Sequence, residues 1–168
     1  MIDYQLAKAL FNYDPESGEL TWRVQTGATH KGKRAGTLQK HKVEGYTSYI
    51  SVSILNEGYK AHRIIWLLQT GEWPTKHIDH IDGNGLNNKW SNLREVTPSQ
   101  NIINQRVRSD STSGVKGVSY DRKRNMWYVY IDIDKKRKHL GRYHTKEEAI
   151  AARSAAEKVY HGEYARSA

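Results

Sequence analysis

The sequence predicts an α+β fold in two parts: an N-terminal antiparallel sheet with a strand-turn-strand-helix unit, then a small three-stranded sheet with one helix. Three observations predict it. Apolar and polar residues alternate over residues 49–54 and again over 127–133, the period of half-buried strands. Two helix starts carry capping boxes, Thr97-Pro98-Ser99-Gln100 and Thr145-Lys146-Glu147-Glu148, the first with proline at its favoured N1 position. Between these halves, residues 105–114 (QRVRSDSTSG) lose periodicity and gain Ser, Thr and Gly. The expected division is therefore 1–108, a linker at 109–114, and 115–168.

The elements follow in order. Residues 1–13 read as a short helix with Leu6, Leu10 and Phe11 on one side and Asp3 near its start. Asp14-Pro15-Glu16-Ser17-Gly18 is a turn, because proline presets φ and glycine takes the left-handed position, and residues 20–24 alternate as a strand. Residues 27–42 bring Lys31, Lys33, Arg34, Lys40 and Lys42 with three glycines, either a solvated flexible loop or an arm that tracks phosphates. After the strand at 49–54, Asn56-Glu57-Gly58 turns into a partner strand at 59–61. Residues 62–70 are too apolar for an exposed helix, and Gly71 ends them.

Residues 78–81 suggest a short strand, Asp82-Gly83-Asn84-Gly85 a tight turn, residues 92–96 a returning strand, and Pro98 onward a helix. The last third reads as strands at 115–120, 127–133 and 138–143. A helix from Thr145 then runs to Gly162, its alanines allowing close packing on the sheet. Trp127, Val129 and Ile131 share one face of the middle strand. Tyr128, Tyr130, Arg137 and His139 would line the other, a surface able to enter a major groove.

Charge points to the partner. The 168 residues carry a net charge of +9 and no cysteine, which excludes disulfides and Cys-ligated zinc and makes a polyanion the expected partner. Residues 1–110 hold 14 basic and 11 acidic side chains, and residues 111–168 hold 13 and 7, so the smaller part is the more basic. No signal peptide or long apolar run is read, giving an expectation of a cytoplasmic protein with no membrane partner and no obligate protein partner.

The candidate chemistry concentrates at residues 76–105. Asp79 offers an anionic oxygen and Asn101 a neutral amide oxygen, hard ligands suited to Mg2+ or Mn2+. His80 titrates near neutrality and is placed to take a proton from water. Asp82 and Glu95 are the other carboxylates of the segment, Glu95 falling on the far strand, so one metal fits better than two. Bland readings stand beside these. The Asp/Asn/Gly run is also a plain Asx-rich turn, His77 a solvated strand-entry residue, and Asn104 a partner for backbone; the EF-hand spacing is absent. Adjacent strand residues point to opposite faces, so Asp79 and His80 serve one phosphate only if the strand bends or ends beside them.

Asp79-His80, Asn92-Leu93-Arg94 and Asn101 together resemble the HNH endonuclease signature, in the variant with a final Asn that looks like phage homing endonucleases. The resemblance implies a ββα-metal fold, His80 as general base, Asp79 and Asn101 holding one divalent cation, and Asn92 bracing the loop that carries His80. It also implies that Arg63, after His62 at the start of a helix, touches phosphate. Lys116-Gly117-Val118, the strand at 127–131, Leu140-Gly141-Arg142-Tyr143 and the following helix resemble the AP2/ERF DNA-binding domain. That likeness implies double-stranded DNA read by the sheet through Lys116, Tyr128, Tyr130, Arg137 and His139. Ser119, Asp121, Asp132 and His139 depart from the plant pattern, so no target sequence carries over. The expected function is a metal-dependent DNA endonuclease that leaves 5′-phosphate and 3′-hydroxyl ends. The alternative is a DNA-binding regulator with a non-catalytic HNH scaffold, and exposed tyrosines keep an RNA-directed reading open.

Overall fold

A computed structural model describes residues 1–25, 29–40, 47–104, 107, 111–133 and 136–162. It is a mixed α+β structure of small antiparallel sheets and few helices, forming two compact units, Met1–Pro98 and Ser99–Ala168. The sequence places a domain boundary at 109–114, whereas packing groups residues from Ser99 onward with the second unit.

In the first unit, α1 (Tyr4–Leu10) is capped by Asp3, whose carboxylate accepts from the Leu6 amide at 2.8 Å. The helix expected over 1–13 stops at Leu10. Phe11–Tyr13 is instead strand β1, paired with β2 (Leu20–Trp22), because Phe11 buries against Trp22 at 4.7 Å between ring centroids. The Asp14–Gly18 turn between them forms as expected, with Gly18 at φ +76°.

Residues 29–36 are less free than a solvated loop. Gly32 and Lys33 exchange backbone hydrogen bonds with Trp22, and Ala35 N donates to Leu20 O at 2.7 Å. Strand β3 (Thr37–Gln39), which the sequence did not suggest, then pairs with β4 (Tyr49–Ile54). Lys42 lies outside the described residues.

The hairpin to β5 (Glu57–Lys60) turns at Leu55 and Asn56, both at positive φ, rather than at Asn56-Glu57-Gly58. Helix α2 (Ala61–Thr70) ends in a left-handed Gly71 and buries Ile64, Ile65 and Leu67 against α1, β4 and β5. Strand β6 (His77–His80) pairs with β7 (Leu93–Val96), after a 3₁₀ turn at Trp90–Asn92. Trp66 of α2 packs on Trp90, tying that connection to the core. Helix α3 (Pro98–Asn104) follows with proline first, as the capping sequence predicts.

The second unit is an antiparallel sheet of β8 (Val118–Asp121), β9 (Met126–Ile133) and β10 (Lys136–Tyr143), ordered β10-β9-β8 and covered on one face by α4 (Lys146–Tyr160). The Thr145–Glu148 capping box is fully formed. Val129, Ile131 and Ala149 are wholly buried between sheet and helix, as the alternation predicts. Gly117 lets the chain pass close beneath β9, since a Cβ there would meet Tyr130 O at 2.2 Å. Among the described residues no helix is long and apolar enough to cross a membrane.

Candidate active site and nucleic-acid interface

The site grows from the end of β6. Strand pairing stops at His80, and the chain turns at once: Gly83, at φ +69°, donates to His80 O at 2.8 Å. That is the strand end the Asp79-His80 pair requires. Asp79 stands opposite Arg94 in register and accepts from its Nε at 3.1 Å and Nη2 at 3.0 Å, both on Oδ2. His80 engages other partners. Its Nε2 lies 3.0 Å from Asn88 Oδ1, and its ring centroid is 5.9 Å from that of Tyr49 and 5.1 Å from that of His62, edge to face. Asp79, His80 and Asn88 are all buried.

Asn92 ties the connecting loop. Its Oδ1 accepts from Asp82 N at 3.0 Å, while its Nδ2 donates to Asp82 Oδ1 at 3.0 Å and Asn87 O at 2.8 Å. Asp82 also accepts from Asn84 N and Asn87 Nδ2, both at 2.7 Å. Burial works to raise the Asp82 carboxyl, but hydrogen bonds from Asn87, Asn84 and Asn92 win and hold it below its ordinary value. Asp82 is thereby a loop organiser, and the same holds for Glu95, whose carboxylate accepts from Thr75 N and Lys76 N on the approach to β6.

Burial also shifts the histidines. His80 is pushed below its usual range by desolvation, partly opposed by the Asn88 hydrogen bond and by Asp82 and Asp79. His62 falls to about 3, first through burial, then through His80 and the cations Arg63 and Lys60. His77 is exposed.

The His62 shift carries a stability prediction. An unfolded His62 takes a proton near 6.5, while the folded one resists to about 3, so within that window the unfolded state holds more protons. Stability from this burial is complete above pH 6.5 and declines as pH falls toward 3, by about 1.4 kcal/mol per pH unit at most. Melting temperatures of the wild type and His62→Gln measured across that range should diverge, the wild type falling faster. Parallel profiles would refute the assignment.

Other expected contacts are distributed differently. Asn101, half-buried, and Asn104, buried, stand on α3, whose residues from Ser99 belong to the second unit. Arg63 is drawn toward backbone carbonyls of Pro74 at 3.4 Å and Lys76 at 3.5 Å, with its guanidinium 6.0 Å from the Trp73 ring. Lys116 donates to Ile102 O at 3.1 Å and Ile103 O at 2.9 Å, so its ammonium serves the C-terminal carbonyls of α3 rather than lying with the sheet-face residues.

Tyr128, Tyr130, Arg137 and His139 do gather on the sheet face away from α4. His139 stacks on Tyr128 at 4.7 Å, and the Arg137 guanidinium lies 3.7 Å from the Tyr130 ring centre while pairing with Asp132 at 3.0 Å. Arg142 joins them, 5.5 Å over Tyr128. Simple alternation from Arg137 and His139 puts Arg142 on the opposite face. A bulge between His139 and Gly141 resets the register so that Arg142 pairs with Tyr128, and Gly141 at φ +142° is the sequence signal for it. Asn88 was also missed, for it sits in irregular chain where no periodicity speaks.

The HNH endonuclease family model matches residues 59–102, a span containing β6, β7 and the loop between them. Protein 3.8 of Escherichia phage T7 is 36% identical over 112 residues, covering 64% of this chain and 92% of that protein. Two uncharacterized HNH endonucleases of Acanthamoeba polyphaga mimivirus are 45% identical over 60 residues and 31% identical over 107. These alignments cover 34% and 60% of this chain, but only 32% of each mimivirus protein. A structure of DNA binding and cleavage by the HNH homing endonuclease I-HmuI aligns at TM-score 0.40 and 20% identity, over 94% of this chain and 87% of that one.

Proposed function

Because the chain belongs to one family with Protein 3.8 of phage T7 and carries an HNH endonuclease domain at residues 59–102, we propose that it is a metal-dependent DNA endonuclease of the phage homing type. The observation that carries this reading is His80, buried at the end of β6 next in sequence to Asp79, with its ring held by Asn88 and packed by Tyr49 and His62. Burial keeps His80 neutral near pH 7, the state in which it can accept a proton from water attacking a phosphodiester. Asn92 braces the loop that follows. Its three hydrogen bonds fix the chain that turns away from His80, so the base is presented from a rigid strand end.

The donor set suits a single hard cation. Of the carboxylates in this segment, Asp82 and Glu95 accept hydrogen bonds from their own loops, so a site built on one carboxylate and one amide fits better than a two-metal clamp. Asp79 and Asn101 would hold one Mg2+ or Mn2+, which when bound supplies charge stabilisation at the phosphate and the leaving 3′ oxygen. Arg94 faces the same carboxylate, its Nη2 3.0 Å from Asp79 Oδ2.

Targeting falls to the AP2-like second unit. Tyr128, Tyr130, Arg137, Arg142 and His139 offer duplex DNA a patch of stacked rings and guanidinium groups on one sheet face, while Arg63 offers a phosphate contact in the first unit. One observation favours the other reading, a DNA-binding regulator with an inert HNH scaffold: the Asp79 carboxylate is already engaged by Arg94.

Supercoiled plasmid decides between them. Wild-type protein with Mg2+ should convert it to open circle or linear product with 5′-phosphate ends, and EDTA should stop the conversion. A gel shift without cleavage under any divalent metal supports the regulator, and cleavage that persists in EDTA overturns the metal requirement.

A further inference from the structure

We infer that Asn88 is a positioning residue that sets the tautomer and ring orientation of His80, and that the Asp14–Gly18 turn holds Asn88 in place for this purpose. The inference rests on the reading of His80 as general base.

A neutral imidazole has one N–H and one lone pair, and which nitrogen carries which is decided by its partners. The Asn88 side-chain oxygen can only accept. Standing 3.0 Å from Nε2 among buried groups, it requires the proton on Nε2 and leaves the basic lone pair on Nδ1. Tyr49 and His62 confine the ring, at 5.9 and 5.1 Å between ring centroids.

Asn88 lies in irregular chain and needs support, and the N-terminal segment provides it at three points. Tyr13 donates its hydroxyl to Asn88 O at 2.8 Å, and burial, then Asp14, push that phenol up to about 12, so it stays a donor. Trp90 N donates to Pro15 O at 3.1 Å. Gly18 presses on the same backbone: a Cβ there would lie 2.5 Å from Lys89 N and 2.6 Å from the Asn88 carbonyl carbon. Residues 88–90 are thus gripped by β1 and the turn that follows it, and the grip ends at the amide facing His80.

The test reads the tautomer directly. Protein labelled with 15N-histidine, in long-range proton-nitrogen correlation spectra at about pH 8, above the ordinary histidine range, should show His80 as the Nε2–H tautomer, its signals assigned by their absence in His80→Gln. Asn88→Ala should move them toward a mixed pattern and lower kcat about 10- to 100-fold with little change in KM. Asn88→Asp, which keeps an acceptor oxygen, should restore the Nε2–H pattern and most of the rate. Circular dichroism and duplex binding establish that the variants fold, and if Asn88→Ala does not, the wild-type spectrum and Asn88→Asp decide alone. An Nδ1–H tautomer in the wild type overturns the inference, as does an Asn88→Ala protein with unchanged spectrum and rate. Wild-type cleavage by His80→Ala would instead defeat the general-base reading, so the two failures are told apart.

Discussion

On the proposed general-base reading, His80→Ala should lower strand cleavage by about 10²- to 10⁴-fold, the usual range for a positioned general base, while duplex binding should be retained. The expectation follows from separation of labour. The residues expected to hold DNA on the second unit, Tyr128, Tyr130, Arg137, Arg142 and His139, make none of the contacts described around His80. Plasmid nicking and a gel shift on one preparation measure both quantities. Cleavage at the wild-type rate would remove His80 from the chemistry, and loss of binding together with cleavage would show that the substitution damages more than the base.

Asp79→Ala should cost both activity and stability. The Asp79–Arg94 pair is largely shielded, with side-chain exposures of 9% and 16%, and removing the carboxylate takes away the charge that faces Arg94 at 3.0 Å, at a cost of about 3 kcal/mol. Metal-stimulated cleavage should vanish with it, because the proposed anionic ligand is gone. The double variant Asp79→Ala/Arg94→Leu separates the two effects. It should regain most of the lost melting temperature, since both members of the shielded pair are gone, yet stay inactive. Recovery of cleavage in the double variant would exclude Asp79 as a metal ligand, and a melting temperature as low as that of the single variant would mean that the pair is not what Asp79 contributes to the fold.

Local signals were legible in the sequence, and long-range ones were not. The α4 capping box, the Gly71 stop, the alternation of β4 and β9, and the turn after His80 each depend on neighbours within a few residues, and each is present in the structure. The end of α1 at Leu10 depends on Trp22, and the bend at Leu55-Asn56 places a leucine at φ +50°, which no turn preference anticipates. At the site, Asp79 and His80 were readable as types, but their partners were not. Arg94 reaches Asp79 through strand register and Asn88 reaches His80 through loop shape, neither of which has a fixed spacing in sequence.

The hold of the Asp14–Gly18 turn on residues 88–90 bears on when a newly made chain becomes competent. Tyr13 and Asn88 are 75 positions apart, a long loop to close, so this contact is expected to form after the local hairpins and helices. Residues 13–18 are made before the loop they support. Residues 59–102 carry the matched motif, whereas the brace on residues 88–90 comes from residues 13–18, outside that span.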